Sequence, residues 1–531
     1  MRPTNTAFLS IAKRAERQDE EILKNTFVDF GSIFSAISSI DHQIVFGRRG
    51  TGKTHLFTVL RQKKTADGEI AIQLDMRNLG SAGGIYADPS LPLSLRATRL
   101  LIDVLTEIHA SLLGQAIEHD GPINLGVAGT ALDTLFDACR TVKVVGPVAV
   151  ETTASTETIG RAEVGLGVSI ATMGALSGGT SAATSEGEKA SIKKSVTGYE
   201  IPRVNFGSVG GALRRVVETL PNRRLWILLD EWSEVPLDLQ PYLADLLRRA
   251  VLPTKGITVK IAAIEQRSRL FIPESTVGNV GLELGADISA AINLDDYMVF
   301  DNDEQKAVAF FKALVLKHVQ AASEPDNGML RNERDLMSQG FTQVGAFEEC
   351  VRACEGVPRD AIHILSHAAQ RANENAISVL DIREAAQQWY YSSKDSAVAA
   401  HEQAKRLLLW IIDKVIKERQ TKAFLLESRV KDNLIDFLYD ERVIHILRKG
   451  MSAKDSPGKR FNVYGIDYGC YVDLVNTAKA PRGILDLGED AAEFSATVPK
   501  TDFRSIRRCV LDLPDFYKED TAQRSAVEAS S

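Results

Sequence analysis

The stretch Phe46-Gly47-Arg48-Arg49-Gly50-Thr51-Gly52-Lys53-Thr54-His55 carries the residue types needed to hold a phosphate group. Glycines at 47, 50 and 52 let the backbone turn its N–H groups inward, since residues without Cβ adopt the required dihedrals and permit close approach. Lys53 supplies a point charge for the β and γ phosphates of a nucleotide, and the Thr54 hydroxyl is spaced to ligate Mg²⁺. The pattern G-x-x-x-x-G-K-[ST] follows the apolar run Gln43–Phe46 and precedes a helical pattern from Leu56 to Gln62. A strand, loop and helix in that order are what such a loop requires, and the helix dipole adds to the field at the phosphate. Gly47, Arg48, Arg49, Gly50, Thr51, Gly52, Lys53, Thr54 and His55 are therefore the expected nucleotide-binding residues, with ATP and Mg²⁺ as the expected ligands.

A second chemical element lies at Leu225-Trp226-Ile227-Leu228-Leu229-Asp230-Glu231-Trp232. An apolar run ending in two acids describes a buried parallel strand that delivers carboxylates at its C-terminal edge, where open α/β sheets bind ligands. Asp230 is expected to hold Mg²⁺ and Glu231 to orient and deprotonate an attacking water, so Glu231, Asp230 and Lys53 form the expected catalytic set. Alone, the strand could equally be a core strand capped by solvated acids; a phosphate loop in the same chain favours hydrolysis. A further apolar strand, Ile257–Ile264, ends in Glu265 and Gln266, of which Gln266 is the better donor toward a γ-phosphate or lytic water. Arg248, Arg249, Arg267 and Arg269 gather nearby, and one of them is a candidate arginine finger into a neighbouring copy of a homo-oligomer. Gly356-Val357-Pro358-Arg359 places an arginine at the start of a helix, where it could contact the γ-phosphate.

These residues need a scaffold. Ile70–Met76 alternates as a strand, Leu91 to Glu118 repeats apolar residues at helical spacing, and Ala291–Leu294 reads as a last sheet strand. Together they predict an α/β class core, a parallel-sheet P-loop ATPase spanning 41–300, preceded by a helical adaptor at 1–40 and followed by a helical lid at 301–398. Lys53 and Asp230 stand 177 positions apart, so something is inserted. The Gly/Ala/Ser/Thr-rich stretch 121–207 is expected to be that insertion, a β-hairpin with a Ser177–Ser185 tip. Arg161–Ile170 alternates strictly, and a membrane-inserting hairpin is the second reading of it.

From 399 to 518 the pattern predicts a winged-helix domain: helices at Arg406–Lys417 and Val430–Asp440, then strands Val443–Leu447 and Phe461–Tyr468. Arg448, Lys449, Lys454, Lys459 and Arg460 surround a wing-like loop and are candidate contacts to the phosphates of double-stranded DNA. A solvated hairpin tip or a protein-binding surface is the competing reading. Residues 519–531 are expected to form a disordered tail.

Composition sets limits on all of this. The chain has 531 residues, 44% hydrophobic and 25% charged, as expected of a soluble protein with about three domains. A net charge of −7 excludes a surface coated in positive charge, though not a local basic patch. No run of about 18 consecutive apolar residues and no apolar leader at Met1–Glu21 point to a cytoplasmic protein without a stable membrane span. Five scattered cysteines, Cys139, Cys350, Cys354, Cys470 and Cys509, read as free thiols.

The two Walker motifs, the polar strand tip, the lid Gly-x-Pro-Arg and the winged helix together resemble the AAA+ ATPases of the origin-recognition type, which include bacterial relatives. That resemblance covers about residues 25–480 apart from the insertion. It implies that Gly47, Gly52, Lys53 and Thr54 bind nucleotide and Mg²⁺, that Asp230 and Glu231 serve catalysis, and that Arg359 senses the γ-phosphate. Two departures stand out: the strand tip offers Glu265 or Gln266 where that family usually has Asn, and the insertion has no counterpart there. STAND-type signalling ATPases share the same modules. The two expectations for output are thus a switch whose winged helix engages DNA to remodel or load a partner, and a signalling or assembly ATPase, with antiviral defence as one setting, acting through an unidentified protein partner and the insertion.

Overall fold

The structure, a computed structural model, describes all residues except 15–17, 80–87, 89, 119–120, 141, 146–147, 152–192, 197–198, 274–278, 299–303, 323–329, 420, 453–457, 473–508 and 529–531. Five parallel strands form its central sheet: β1 (Gln43–Phe46), β2 (Ile70–Asp75), β3 (Leu225–Asp230), β4 (Ile257–Ala263) and β5 (Ala290–Asn293), in the spatial order β5-β1-β4-β3-β2. β1, β3 and β4 are buried at every position, Gln43, Thr258 and Lys260 included, as befits strands covered on both faces. β4 lies between the phosphate-loop strand and the acid-bearing strand, pairing Phe46 with Ala263 and Leu229 with Ile261. The carboxyl ends of all five strands consequently share one edge, and Asp75 of β2 sits directly beside Asp230.

The chain thus has an α/β P-loop ATPase fold. Helix α1 (Pro3–Ser10) departs from the expected adaptor, because it packs on the helical lid through Phe8 against Phe341 and through Asn5 to the carbonyls of Asn373 and Asn375, both at 2.9 Å. Helix α2 (Glu20–Thr26) instead lies on α3 (Lys53–Ala66), the helix that follows the phosphate loop. The long α4 (Leu93–Ile117), the one described helix apolar and long enough to cross a bilayer, buries Leu100, Leu101, Val104, Leu105, Ile108 and Leu112 in the core.

The insertion is narrower than its composition implies. Leu125–Cys139 is a helix whose Ala128, Leu132, Leu135 and Cys139 enter the core, and Phe206 already begins another helix; small residues there serve close helix packing. Between them two short antiparallel ladders pair Val142–Val145 with Tyr199–Pro202 and Val148–Glu151 with Lys193–Val196. Arg161–Ile170 and Ser177–Ser185, on which the membrane-hairpin and loop-tip readings rest, lie outside the described residues.

Beyond β5 come the lid helices, among them α5 (Glu304–Ala322), α6 (Pro358–Ala372) and α7 (Val379–Trp389). The C-terminal domain follows the order of a winged helix: α8 (Glu402–Ile411), β6 (Ala423–Glu427), α9 (Asn433–Asp440), β7 (Ile444–Met451) and β8 (Phe461–Ile466), with the strands in the antiparallel order β6-β8-β7. The expected disordered tail is a helix as far as Glu528. Burial of Phe516 and a bond from Arg406 to Asp520 at 2.5 Å hold it against α8.

Candidate nucleotide site

A cleft of about 400 Å³ opens at the carboxyl edge of the sheet, between the phosphate loop, α2 and the lid. The loop wraps one end of it. Gly50 and Gly52 have φ of 87° and 92°, the left-handed region that a Cβ disfavours. Gly50 is glycine for a second reason: a Cβ there would stand 2.8 Å from the Cβ of Arg359. The lid arginine is therefore brought against the loop itself, and its backbone N–H donates to the Gly50 carbonyl at 3.2 Å. Pro358 at the first turn of α6, preceded by Glu355 and Gly356 at positive φ, makes the sharp entry that points the helix start at the loop.

Lys53 donates to the carbonyls of Gly47 and Arg48, at 2.7 and 3.0 Å, so its ammonium lies against its own loop. Burial pushes its pKa down, against the opposing pull of Glu231 and Asp230. Asp230 is 3% exposed at the end of β3, accepting from the Thr54 hydroxyl and from Gln73 Nε2 at 3.3 Å. Glu231 takes φ of 54°, a conformation unusual outside glycine, which turns its carboxylate off the strand line and into the cleft. Burial raises the pKa of both acids, and for Glu231 a higher pKa brings the carboxylate nearer to a base working at neutral pH.

Thr54 and Asp230 suit Mg²⁺: a hydroxyl and a carboxylate in direct contact, beside a second carboxylate, leave most of an octahedron for water and phosphate oxygens. Among the described residues no group of three or more His, Cys, Asp or Glu is placed to hold a metal ion.

Apolar side chains also line the cleft, together with Lys13, Arg14 and Gln18. Leu23, Thr26, Phe27 and Val28 approach from one side and Phe310, Leu314, His318 and Ile362 from the lid. His55 closes the gap between them, bonded to the Leu23 carbonyl at 2.5 Å, with its ring edge-on to Phe27 and, at 6.3 Å, to His318. A cleft that sets apolar side chains beside a phosphate loop suits a nucleotide base. Sequence spacing had no way to find these lining residues, because they come from segments up to 339 positions apart, Leu23 to Ile362.

Several expected site residues lie elsewhere. Arg49, Gly50, Thr51, Gly52, Lys53, Thr54, His55, Glu231 and Arg359 line the cleft; Gly47 contributes its carbonyl to Lys53, and Asp230 sits behind Thr54. Arg48 does not line it. Its side chain is 1% exposed and runs into the protein, donating through Nε to Asp295 at 2.7 Å, through Nη2 to the Glu355 carbonyl at 2.8 Å, and bonding through Nη1 to His445 Nδ1. Gln266 does not line the cleft either. The turn at Glu265–Arg267 faces the winged helix, with Glu265 paired to Lys449 at 2.5 Å and Arg267 paired to Asp440. Opposite charges on the docked domain draw the strand tip away from the nucleotide.

The basic wing is only partly gathered. Arg448, Lys449 and Arg460 line a shallow concavity of about 220 Å³, whereas Lys459 pairs with Glu427 at 2.8 Å and Lys454 lies outside the described residues. Arg248 and Arg249 both pair with Asp245, while Arg269 is exposed. All five cysteines are unbridged, and burial pushes the Cys350 thiol up to about 12.

No protein-family model and no curated protein matches this sequence. Among solved structures, this chain is similar to the Walker-type ATPase of Pyrococcus abyssi, at 11% identity and a TM-score of 0.40 over 89% of this chain and 100% of that one. It is also similar to the ORC1 protein of Aeropyrum pernix in complex with DNA, at 11% identity and a TM-score of 0.33 over 86% and 97% of the two chains. At such scores the function has to be drawn from this chain's own residues.

Proposed function

We propose that this protein is an ATP-hydrolysing molecular switch of the AAA+ kind. The observation that carries this is the convergence on one cleft of a phosphate loop, a strand-end Asp-Glu pair and a lid arginine drawn from positions 53, 230, 231 and 359. Lys53, freed from the loop carbonyls, holds the β and γ phosphates, and Arg359 meets the γ-phosphate from the lid side. Glu231 accepts a proton from the attacking water, which its raised pKa suits. Thr54 and Asp230 would hold Mg²⁺, which would supply charge neutralisation for the phosphates. Hydrolysis removes the group that Arg359 contacts, so lid position reports nucleotide state.

The proposed output is DNA engagement through the winged helix, supported by the grouping of Arg448, Lys449 and Arg460 around one concavity. A protein-directed signalling role is the second reading. It is favoured by the intramolecular pairing of Lys449 and Lys459, which lowers the charge on offer to a polyanion. Steady-state ATP hydrolysis at low salt, with duplex DNA titrated in and Lys53→Ala as the blank, tests both levels. Turnover lost in Lys53→Ala supports the ATPase, and its retention there sinks it. Stimulation by DNA favours the first output, whereas indifference to DNA favours the second.

A further inference from the structure

We propose that the winged-helix domain is an integral part of the nucleotide site, with His445 and Arg442 as positioning residues that hold Arg48 and Asp360, the chain neighbours of phosphate-loop and γ-phosphate contacts. The proposal rests on the nucleotide assignment made above and adds a domain to it.

Arg48 lies in the phosphate loop, and its carbonyl accepts from Lys53, yet its guanidinium is buried where three parts of the protein meet. Asp295 belongs to the ATPase core, Glu355 to the lid and His445 to β7 of the winged helix. Asp295 also accepts from the Arg48 backbone N–H at 2.9 Å and from the Tyr439 hydroxyl of α9 at 3.2 Å, so the winged helix touches both halves of the ion pair. With Arg48 donating to Nδ1, the His445 imidazole is neutral and carries its proton on Nε2, which faces Asp467 at 3.1 Å.

From there the chain of contacts returns to the cleft. Asp467 meets Lys394 at 2.5 Å, Lys394 meets Asp360 at 3.0 Å, and Arg442 caps Asp360 from the winged-helix side. Asp360 follows Arg359, whose backbone N–H is bonded to Gly50. The result is a closed ring through loop, winged helix and lid, in which three cations (Arg48, Lys394, Arg442) balance three carboxylates (Asp295, Asp360, Asp467), all of them buried. Three of these contacts, Arg48 to His445, Lys394 to Asp467 and Asp360 to Arg442, cross into the winged helix. Lifting that domain breaks all three at once, leaving buried charge under-compensated on either side of the phosphates. Arg48 and Asp360 must then re-orient, and the loop and α6 move with them. Nucleotide affinity therefore depends on docking, and docking on nucleotide, by the same factor.

The test uses the rim of the dock, where Lys449 faces Glu265 and Asp296 without touching the cleft. Lys449→Glu sets a third carboxylate against those two. Binding of a fluorescent ATP analogue to the full chain is measured for wild type, Lys449→Glu, Lys449→Glu with Glu265→Lys, His445→Ala and Lys53→Ala, each checked for a cooperative melt. The expected result is about a tenfold weaker Kd in Lys449→Glu and in His445→Ala, with recovery in the double reversal, which a general folding defect would not show. Wild-type affinity in a folded Lys449→Glu overturns the proposal whatever becomes of His445→Ala. Wild-type affinity in Lys53→Ala overturns the nucleotide assignment instead, so the two failures are told apart.

Discussion

Arg48 and Arg49 are neighbours in sequence and opposites in fate, and the two surfaces of the phosphate loop differ in the same way. On the cleft side, burial drives every key group toward its neutral form: Lys53 is pushed down, and Asp230 and Glu231 are pushed up. On the junction side the charged forms win despite burial. Asp295, Asp360 and Asp467 are held below the usual carboxylate range by Arg48, by Arg442 and Lys394, and by Lys394 and His445 respectively, and Lys394 is raised by Asp360 and Asp467. The difference separates a place built to receive a charged ligand from a place whose charges already have their partners. Desolvated groups without full compensation strain toward neutrality until an anion and a cation arrive. Compensated ones fix geometry.

The largest effect expected from this contrast is at Glu231. Glu231→Gln keeps size and backbone while removing the base, so kcat should fall roughly 10²–10⁴-fold with ATP affinity nearly unchanged. Stability should hold or rise slightly, because a carboxylate with a raised pKa is disfavoured in the folded state. Turnover at the wild-type rate would remove Glu231 from the chemistry and make the cleft a binding site alone.

Next comes the pair of arginines. Arg48→Ala leaves Asp295 buried without its guanidinium and should cost about 3–5 kcal/mol in urea melts, the usual penalty for breaking a buried ion pair. Arg49 is bonded to Glu234 at 2.9 Å with both side chains about one-third exposed, and Arg49→Ala should cost less than about 1 kcal/mol. Equal costs would erase the distinction between the two faces.

The cleft was far more legible in the sequence than the junction. Gly50, Gly52, Lys53 and Thr54 are spaced by local backbone geometry, and Asp230-Glu231 by the end of one strand, so each motif is visible within ten residues. The five sheet strands were likewise visible, from the apolar run that ends in Asp230, from the alternation of Ile70–Met76 and from short β-branched stretches elsewhere. Arg48 to His445 spans 397 positions and Asp360 to Arg442 spans 82, and no local pattern marks either. Within the loop motif Arg48 occupies a position open to any residue, and only the fold shows that its side chain leaves the cleft. The tip residue Gln266 failed for the same reason: strand position was legible, but the docked domain that turns the tip was not. Helix Leu125–Cys139 was hidden differently, because its buried Ala128 and Ala131, beside Gly126 and Gly129, have the composition of a linker.

The smallest effect proposed here is also the most direct test of the junction's closure. Burial and the adjacent Arg48 guanidinium push the His445 pKa down to about 4, against about 6.5 for a free imidazole. A folded-state value below the unfolded one means that the unfolded chain takes up the proton first as pH falls. The contribution of a neutral His445 is therefore complete above pH 6.5 and is lost progressively toward pH 4, by about 3 kcal/mol in all. The groups facing the ring are Arg48, Asp467 and Lys394, and the carboxylates among them titrate below this window. Asp436 and Asp440 of α9, each raised to about 6, act in the opposite sense over part of it. A comparison of wild type with His445→Gln removes those common contributions, since glutamine can accept from Arg48 and donate to Asp467 without titrating. Urea melts at pH 7.5, 6, 5 and 4.5 should show the wild-type advantage over His445→Gln shrinking or reversing as pH falls. A difference that stays constant with pH would mean that the imidazole is not held neutral between Arg48 and Asp467, and the ring would be open at its one uncharged link.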